Sequence, residues 1–549
     1  MKELSVVIVS YNVRYFLEQC LHSVYRATEK TDCEIIVVDN NSVDGSCSMI
    51  TNKFPQVRLI MNKENRGFAA ANNQALQFAS GRYIVLLNPD TIVHEDTFVN
   101  CIRFMDTHPD AGATGVRMIN GKGKYLPESK RGLPSPRTAF FKTFGLASLF
   151  PRSGFFNNYY LGHLDSMKTA KVDVLTGAFM FLRREAVIRT GLLDESFFMY
   201  GEDIDYSYRI TQAGFTIYYY PETSIIHYKG ESAKKENNMY QVAHFYQAMI
   251  IFVKKYFSSG KTKFFILFLQ LAIYFRASLS FLRRLVKKLF LPLSDGIIIY
   301  LTYRITTAIW QNSLTAGSVA LPDTFTRLIL PSCTLILLIS ITCASGYRLP
   351  SGITKLLKGM LTGIIIILII QAFLPVKLFF PKIIVTGGGL IAIVPVVIWH
   401  LILSFTGSEI ADIPFVRLRK TIIISDKKGY HKISALLSPC NSDERIAGRV
   451  SVNHDDMSEE VLGTITQIRE IIRINRIRET VISASALPAS RIIETIQLLS
   501  DLNIKIKIAS VESDYIIGSR YVDTGYDVKK FKKSCFKIKV SETFLKIFR

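Results

Sequence analysis

Three carboxylates, Glu202, Asp203 and Asp205, follow a run of large rings in FFMYGEDIDYSYR, residues 197–209. Acids beside apolar rings are costly unless they open a helix, where the dipole favours them by ~0.3–1 kcal/mol. The other justification is chemistry, such as taking a proton from an attacking hydroxyl. Three more places could share that work. Asp39, in VVDNNSVDGS, closes an apolar run; it can form an Asx turn, or its carboxylate can accept the imide N–H of a uracil or thymine ring. Asp90, in LLNPDT, is either a turn residue or a strand-end carboxylate of the kind Mg2+ or Mn2+ takes beside a diphosphate. ENRGFAAANN, residues 64–73, puts a glycine and small residues at a helix start. Backbone N–H groups there suit phosphate or ribose oxygens, and small residues equally allow close helix–sheet packing.

These groups need a scaffold that gathers them. Apolar runs LSVVIVS (4–10), EIIVVD (34–39), VRLIM (57–61) and YIVLLN (83–88) alternate with helical patterns such as YFLEQCLHSVYRA and GFAAANNQALQFA. Buried runs alternating with helices predict an α/β fold with a parallel, doubly wound sheet. Ligands of such sheets bind beyond the carboxyl ends of the strands. The polar residues fall at those ends: Ser10, Tyr11 and Asn12 after the first run, Asp39 after the second, Asn65 and Arg66 after the third, and Asn88 and Asp90 after the fourth. Residues 121–172, with RGLPSPR and FFNNYYLG, are rich in Gly, Pro and aromatics and read as a long irregular excursion. Order resumes at KVDVLTGAFMFLRREAV, and a helix over 240–257 closes a domain of residues 1–258.

The chain has 549 residues, room for two or three domains. Its net charge of +22 could suggest nucleic acid, but residues 236–420 hold 19 Lys and Arg against 5 Asp and Glu, in the most apolar third. That pairing points to a membrane surface and anionic lipid, and away from nucleic acid. Residues 264–290 carry Arg276 and flanking basic clusters and read as helices lying in the interface. Segments 295–312, 328–345, 359–376 and 383–405 have about the length that a ~30 Å hydrocarbon layer requires. The loop between the second and third carries Arg348, Lys355 and Lys358, which places both soluble parts in the cytoplasm. The membrane region is thus 259–410. Residues 411–549 alternate strands and helices again, with helices at 458–473 and 488–502, and read as a small Rossmann-like domain. Its first turn, SDKKGYHK, lacks G-x-G-x-x-G, so no nucleotide site is expected there. The eight scattered cysteines show no metal spacing and read as reduced thiols, and the N-terminus reads as a strand rather than a signal peptide.

The ordered set VSYN, VVDNNSVDGS, NRGFAAANN, LLNPD, TGAFMFLRREA, FFMYGEDID and HYKGES resembles the family 2 glycosyltransferases of the GT-A fold. Within them it is most similar to the rhamnosyltransferase-like branch that builds bacterial cell-surface polysaccharides. The resemblance covers residues 1–250. It implies a nucleobase on Asp39 with Ser10, Tyr11 and Asn12 nearby, and a nucleotide pocket lined by Asn65, Arg66 and Gly67. Asp90 matches the metal-binding end of the family's D-x-D element, with Asn88 where the first Asp often stands, and His227 matches a histidine that helps bind metal or diphosphate. Mg2+ or Mn2+ is the implied cofactor. The acidic pair would supply the base of an inverting transfer, Asp203 with Glu202 as its neighbour, while Asp205 turns away on the helix. The implied donor is a dTDP- or UDP-linked sugar, rhamnose among the candidates, and the acceptor a lipid-linked glycan at the inner membrane. Residues 290–515 loosely resemble the non-catalytic front half of polyprenyl-phosphate sugar phosphotransferases, but no basic catalytic module follows before Arg549. A third reading is a membrane scaffold whose tail binds partner polysaccharide-assembly proteins.

Overall fold

The computed structural model describes residues 2–228, 238–256, 259–313, 321–347, 353–373, 383–405, 419–437 and 444–524, less 454, 455, 457, 459, 513 and 519–521. It forms two compact units, residues 1–272 with 419–549, and residues 273–418.

In the first unit, the apolar runs become strands β1 (Leu4–Ser10), β2 (Cys33–Asp39), β3 (Arg58–Met61) and β4 (Tyr83–Leu87). They lie parallel in the order β3-β2-β1-β4. Helices α1 (Arg14–Thr28), α2 (Ser46–Lys53) and α3 (Phe68–Leu76) connect them. Successive side chains of β1 point to opposite faces, so Leu4, Val6 and Ile8 pack in one apolar layer and Val7 and Val9 in another. Burial on both faces is why these strands read as continuous apolar runs.

The sheet then departs from the all-parallel expectation. Strands β5 (Thr91–Val93), β6 (Ala111–Ile119), β7 (Ala170–Lys171), β8 (Phe179–Arg183) and β9 (Thr216–His227) extend it to β3-β2-β1-β4-β8-β6-β9-β5, with β7 beside β9. Strand β8 runs antiparallel to β4 and β6, and β5 antiparallel to β9. The result is a mixed α/β sheet. The helix Asn238–Tyr256 packs Ala248, Met249, Phe252 and Val253 against Phe197 and Ile204, directly behind the acidic stretch.

A second sheet in the same unit runs β12-β11-β10-β13-β14-β15-β16. Its strands are β10 (Arg419–Ser425), β11 (Glu444–Ser451), β12 (Val461–Thr464), β13 (Glu479–Ser483), β14 (Lys505–Ala509), β15 (Tyr515–Gly518) and β16 (Val522–Thr524). The first five are parallel and the last two antiparallel. The helix expected over 458–473 is confined to Ile468–Ile474, because residues 461–464 pair with β11 and a Thr464–Gln467 capping box starts the helical turn. The two sheets share one apolar core: Val13, Phe16, Ile92, Ile226 and Tyr228 pack in the same cluster as Ile492, Ile496 and Tyr515. Glu95 receives the amides of Ala489 (2.6 Å) and Ser490 (2.9 Å), and Tyr515 donates to the Tyr15 carbonyl at 3.1 Å. Nothing in the sequence pattern marks the tail as built into the first domain in this way.

In the second unit, helices Phe325–Cys343, Ile353–Phe373 and Ile383–Leu403 are long and apolar enough to cross a membrane. Segment 295–312 is not among them: Asp295, Arg304 and several Thr, Gln and Asn residues lower its hydropathy. It belongs to one continuous helix, Ser259–Ser313, that also takes in the expected interfacial segment. Two of its polar residues have partners on another helix of this unit. Asp295 is buried against His400 at 3.0 Å, and Ser294 accepts from the Trp399 indole at 3.1 Å. Arg348 and residues 374–376 lie outside the described residues.

Candidate active site

Ser10 and Asp39 are register partners at the carboxyl ends of β1 and β2, both buried. Asp39 makes the Asx turn its sequence allowed. Its Oδ2 accepts the Ser42 amide at 2.8 Å, while its Oδ1 has no hydrogen bond among the described residues. The Ser10 hydroxyl is likewise unpartnered. Asn12, at φ 54°, is a clamp: its Oδ1 accepts the Val43 amide and its own amide donates to Ser42 Oγ. This holds the β1 and β2 loops together below Tyr11, which is half-buried.

The amides opening α3 are used within the protein. Gly67 N–H donates to Asn65 Oδ1 (3.0 Å) and Phe68 N–H to the Phe198 carbonyl (2.9 Å). Gly67, at φ 83°, passes so close that a Cβ would meet the Phe198 oxygen at 2.6 Å. The small residues at this helix start therefore serve close packing, and they pin the loop that precedes Glu202. Arg66 is exposed beside them.

Asp90 and His227 come together because β5 pairs with β9, with Thr91 opposite His227. The His227 Nε2 lies 3.3 Å from Asp90 Oδ1 and 3.5 Å from Asn88 Nδ2, and both Asp90 Oδ1 and His227 Nδ1 are buried without a hydrogen bond among the described residues. One carboxylate and one imidazole suit Mn2+ or Mg2+ if a diphosphate and water complete the shell. Among the described residues no group of three or more His, Cys, Asp or Glu side chains could hold a metal. Lys229–Ser232 of the HYKGES stretch lie outside the described residues.

Tyr200 and Gly201, both at positive φ (70° and 85°), turn the chain into the helix Glu202–Gln212. The three acids that open it have three different environments. Asp205 is fully buried and accepts from Arg209 (2.8 Å), Lys255 (2.7 Å) and Tyr256 (2.7 Å), tying this helix to Asn238–Tyr256. Asp203 Oδ2 is gripped by Arg131 and faces the Gly177 amide at 3.3 Å. Burial alone would lower the Arg131 pKa, but the charge of Asp203 raises it above its ordinary value. Glu202 is buried with Oε2 unpartnered, and burial first, then the charge of Asp203, push its carboxyl up to about 8. The same stretch of chain connects the acids to the strand ends, because Asn88 N–H donates to the carbonyl of Ala178, next to Gly177.

Arg131 escaped the sequence reading. It lies 72 residues before its partner in an irregular segment, and no local pattern marks it.

Residues 5–191 match the family described as Glycosyl transferase family 2. The chain is 28% identical over 252 residues to an N-acetylglucosaminyl-diphospho-decaprenol L-rhamnosyltransferase of Mycobacterium tuberculosis (strain CDC 1551 / Oshkosh), covering 44% of this chain and 81% of that protein. It is 32% identical over 136 residues to the minor teichoic acid biosynthesis protein GgaB of Bacillus subtilis (strain 168), covering 22% of this chain and 15% of that one. Among solved structures, a Pyrobaculum calidifontis mannosyltransferase in complex with GDP-Man and Mn2+ aligns at 17% identity and a TM-score of 0.33, over 50% of this chain and 75% of that one.

Proposed function

We propose, from the premise that residues 5–191 are a family 2 glycosyltransferase domain, that the chain is an inverting hexosyltransferase. The donor is a dTDP- or UDP-linked sugar, rhamnose a candidate, and the acceptor a hydroxyl of a lipid-linked glycan at the cytoplasmic face of the membrane. One observation carries the reading: carboxylate oxygens of Asp39 and Asp90, buried without a hydrogen bond among the described residues, stand at strand ends joined through Ala178 and Gly177 to the Glu202–Asp203 pair, with His227 3.3 Å from that of Asp90.

In this reading Asp39 Oδ1 accepts the imide N–H of the base, with Ser10, Tyr11 and Asn12 around the ring and Asn65, Arg66 and Gly67 on the nucleotide's other side. Asp90 and His227, with Asn88 beside them, would hold Mg2+ or Mn2+. Such a cation offsets the charge of the diphosphate leaving group. Asp203 takes the proton of the acceptor hydroxyl, which attacks the anomeric carbon from the face opposite the nucleotide. Arg131 and the Gly177 amide hold Oδ2, so the carboxylate is fixed in orientation while Oδ1 faces one donor, the Ile204 amide at 2.8 Å. Glu202, with its carboxyl at about 8, keeps its proton near neutrality and does not compete as base.

Both soluble parts are assigned to one side of the membrane. The core they share supports this, since segments packed together cannot be separated by a bilayer. The crossing number is then even, which makes residues 295–312 the fourth span beside the three more apolar helices. The tail is a Rossmann-like module that braces β5, β9 and α1 without binding a nucleotide, and any assembly partner uses another of its faces.

The test is to incubate purified protein and Mg2+ or Mn2+ with a panel of nucleotide-sugars and lipid-linked acceptors. Product mass should rise by one hexose, and NMR of the new linkage should show an anomeric configuration opposite to the donor's. Retained configuration would overturn the inverting mechanism. Absence of transfer from every donor would overturn the function.

A further inference from the structure

The excursion between β6 and β7 carries more exposed aromatic surface than a soluble catalytic domain requires. Phe140, Phe144, Leu149, Phe150 and Phe155 are 38–70% exposed within sixteen residues. The rings of this stretch form one cluster: Phe140 lies 4.6 Å from Phe144 and 5.8 Å from Phe141, and Phe156 lies 4.9 Å from both Phe141 and Phe150. Arg137 stands over the Phe155 ring at 4.8 Å. Residues 129–164 contain no Asp or Glu, and the patch adds Arg152 to Arg137. The segment is closed at its base, where Lys130 donates to the Leu161 and Leu164 carbonyls (2.8 and 2.6 Å) and Gly132 N–H to Tyr159 O (3.0 Å). That base includes Arg131, which holds Asp203.

We propose that residues 137–155 are a membrane-contact surface, inserting their rings among the headgroups of an anionic bilayer with Arg137 and Arg152 on the phosphates. Exposed aromatics rimmed by cations and free of acids match the interfacial region of a bilayer. Anionic lipid is the occupant because of this charge complementarity. A bilayer is also at hand, since the same chain carries three helices apolar enough to cross one. The contact sets the catalytic carboxylate at the lipid surface, where a lipid-linked hydroxyl would arrive; this last step rests on the proposed transferase function, and the membrane contact does not.

The chain has two tryptophans, Trp310 and Trp399, so a Trp310→Phe/Trp399→Phe background gives a silent full-length protein for a single probe. A Phe150→Trp probe in nanodiscs of brominated phosphatidylcholine and phosphatidylglycerol should lose about half its emission or more, and much less without phosphatidylglycerol. A Val43→Trp probe, on an exposed turn of the nucleotide side, should lose none. Equal emission from the two probes overturns the proposal, as does shielding of the Phe150→Trp probe that depends on protein concentration in detergent, which would make the occupant a second copy. A second variant needs no tryptophan replacement. Phe144→Ser/Leu149→Ser/Phe150→Ser should raise KM for a liposome-borne acceptor roughly tenfold and leave donor KM unchanged, and an unchanged acceptor KM contradicts the proposal. Should no transfer be detectable at all, the transferase reading fails and the quenching result still decides the membrane contact.

Discussion

The first unit holds two sheets with parallel strands feeding helices, and they treat their strand ends in opposite ways. In the N-terminal sheet, Ser10 Oγ, Asp39 Oδ1 and Asp90 Oδ1 are buried with no hydrogen bond among the described residues. In the tail sheet the equivalent polar groups are spent internally. Asp426 takes the Gly429 amide at 3.0 Å, buried Arg449 reaches the Ser425 carbonyl and pairs with Asp456 at 2.6 Å, and Glu95 caps the helix after β13. What stays unpaired at the end of β10 is a neutral hydroxyl, Ser425 Oγ, not a charge. An unpaired buried carboxylate oxygen costs stability unless a ligand satisfies it. The arrangement of strands is therefore not what makes a site. The candidate site is where carboxylate oxygens at the carboxyl ends of strands stay without a hydrogen bond; Glu479 of the tail also lacks one, but it lies at the start of β13 and pairs with Lys507.

The sharpest way to break this comparison is at the acids. Asp203→Asn keeps shape and removes the proton acceptor, so kcat should fall ~10²–10⁴-fold with donor affinity nearly unchanged, read by turnover beside donor titration. Glu202→Gln mimics a protonated carboxyl and should stay within about tenfold of wild type at pH 7. Equal losses in the two variants would erase the division between them.

Metal-dependent donor binding comes next. Asp90→Asn or His227→Ala should weaken donor binding about tenfold or more in Mn2+, because a poorer ligand for the cation remains. The same variants should match wild type in excess EDTA. A defect that persists in EDTA would assign these residues to packing.

Stability effects are smaller. Asp205→Asn leaves Arg209 and Lys255 facing a neutral amide; both cations are partly exposed, so the loss in urea unfolding should be about 1–3 kcal/mol. Glu202 adds a pH dependence whose sign is fixed. Its folded carboxyl titrates at about 8 and its unfolded one near ~4.3. Between those values the native state binds more protons, so stability falls as pH rises through that window and levels off above it. Glu202→Gln should flatten that slope in denaturation curves at pH 5 to 8. Glu95→Ala removes a helix cap and should cost about 1 kcal/mol without creating a nucleotide site in the tail.

Much of the site was legible in the sequence for a physical reason. Strands buried on both faces are apolar until they leave the sheet, so Ser10, Asp39 and Asn88 mark the strand ends directly. The separation of Asp205 from Asp203 followed from helix geometry, but its three partners did not, because Lys255 and Tyr256 lie on a helix about 50 residues away. The amides of Gly67 and Phe68 were open to a phosphate role until the Phe198 carbonyl was seen to take one of them. Pairing of His227 with Asp90 depends on β5 lying beside β9 across more than 130 residues, and only the family resemblance suggested it. The joining of tail to first domain was hidden altogether. Its contact residues, Ile92, Ile226, Ile492 and Ile496, look like core residues of either part.

The central claim, that a nucleotide-sugar binds at the strand ends of the first sheet and nowhere else, is tested most directly by calorimetric titration of the full chain. Asp39→Asn keeps an acceptor for the Ser42 amide and can turn the unpartnered oxygen into an N–H donor facing the base. The account predicts one donor site per chain in the wild type, lost or weakened at least about tenfold in Asp39→Asn, and unchanged in Ser425→Ala. A second site per chain, or binding that survives Asp39→Asn and falls with Ser425→Ala, would contradict it.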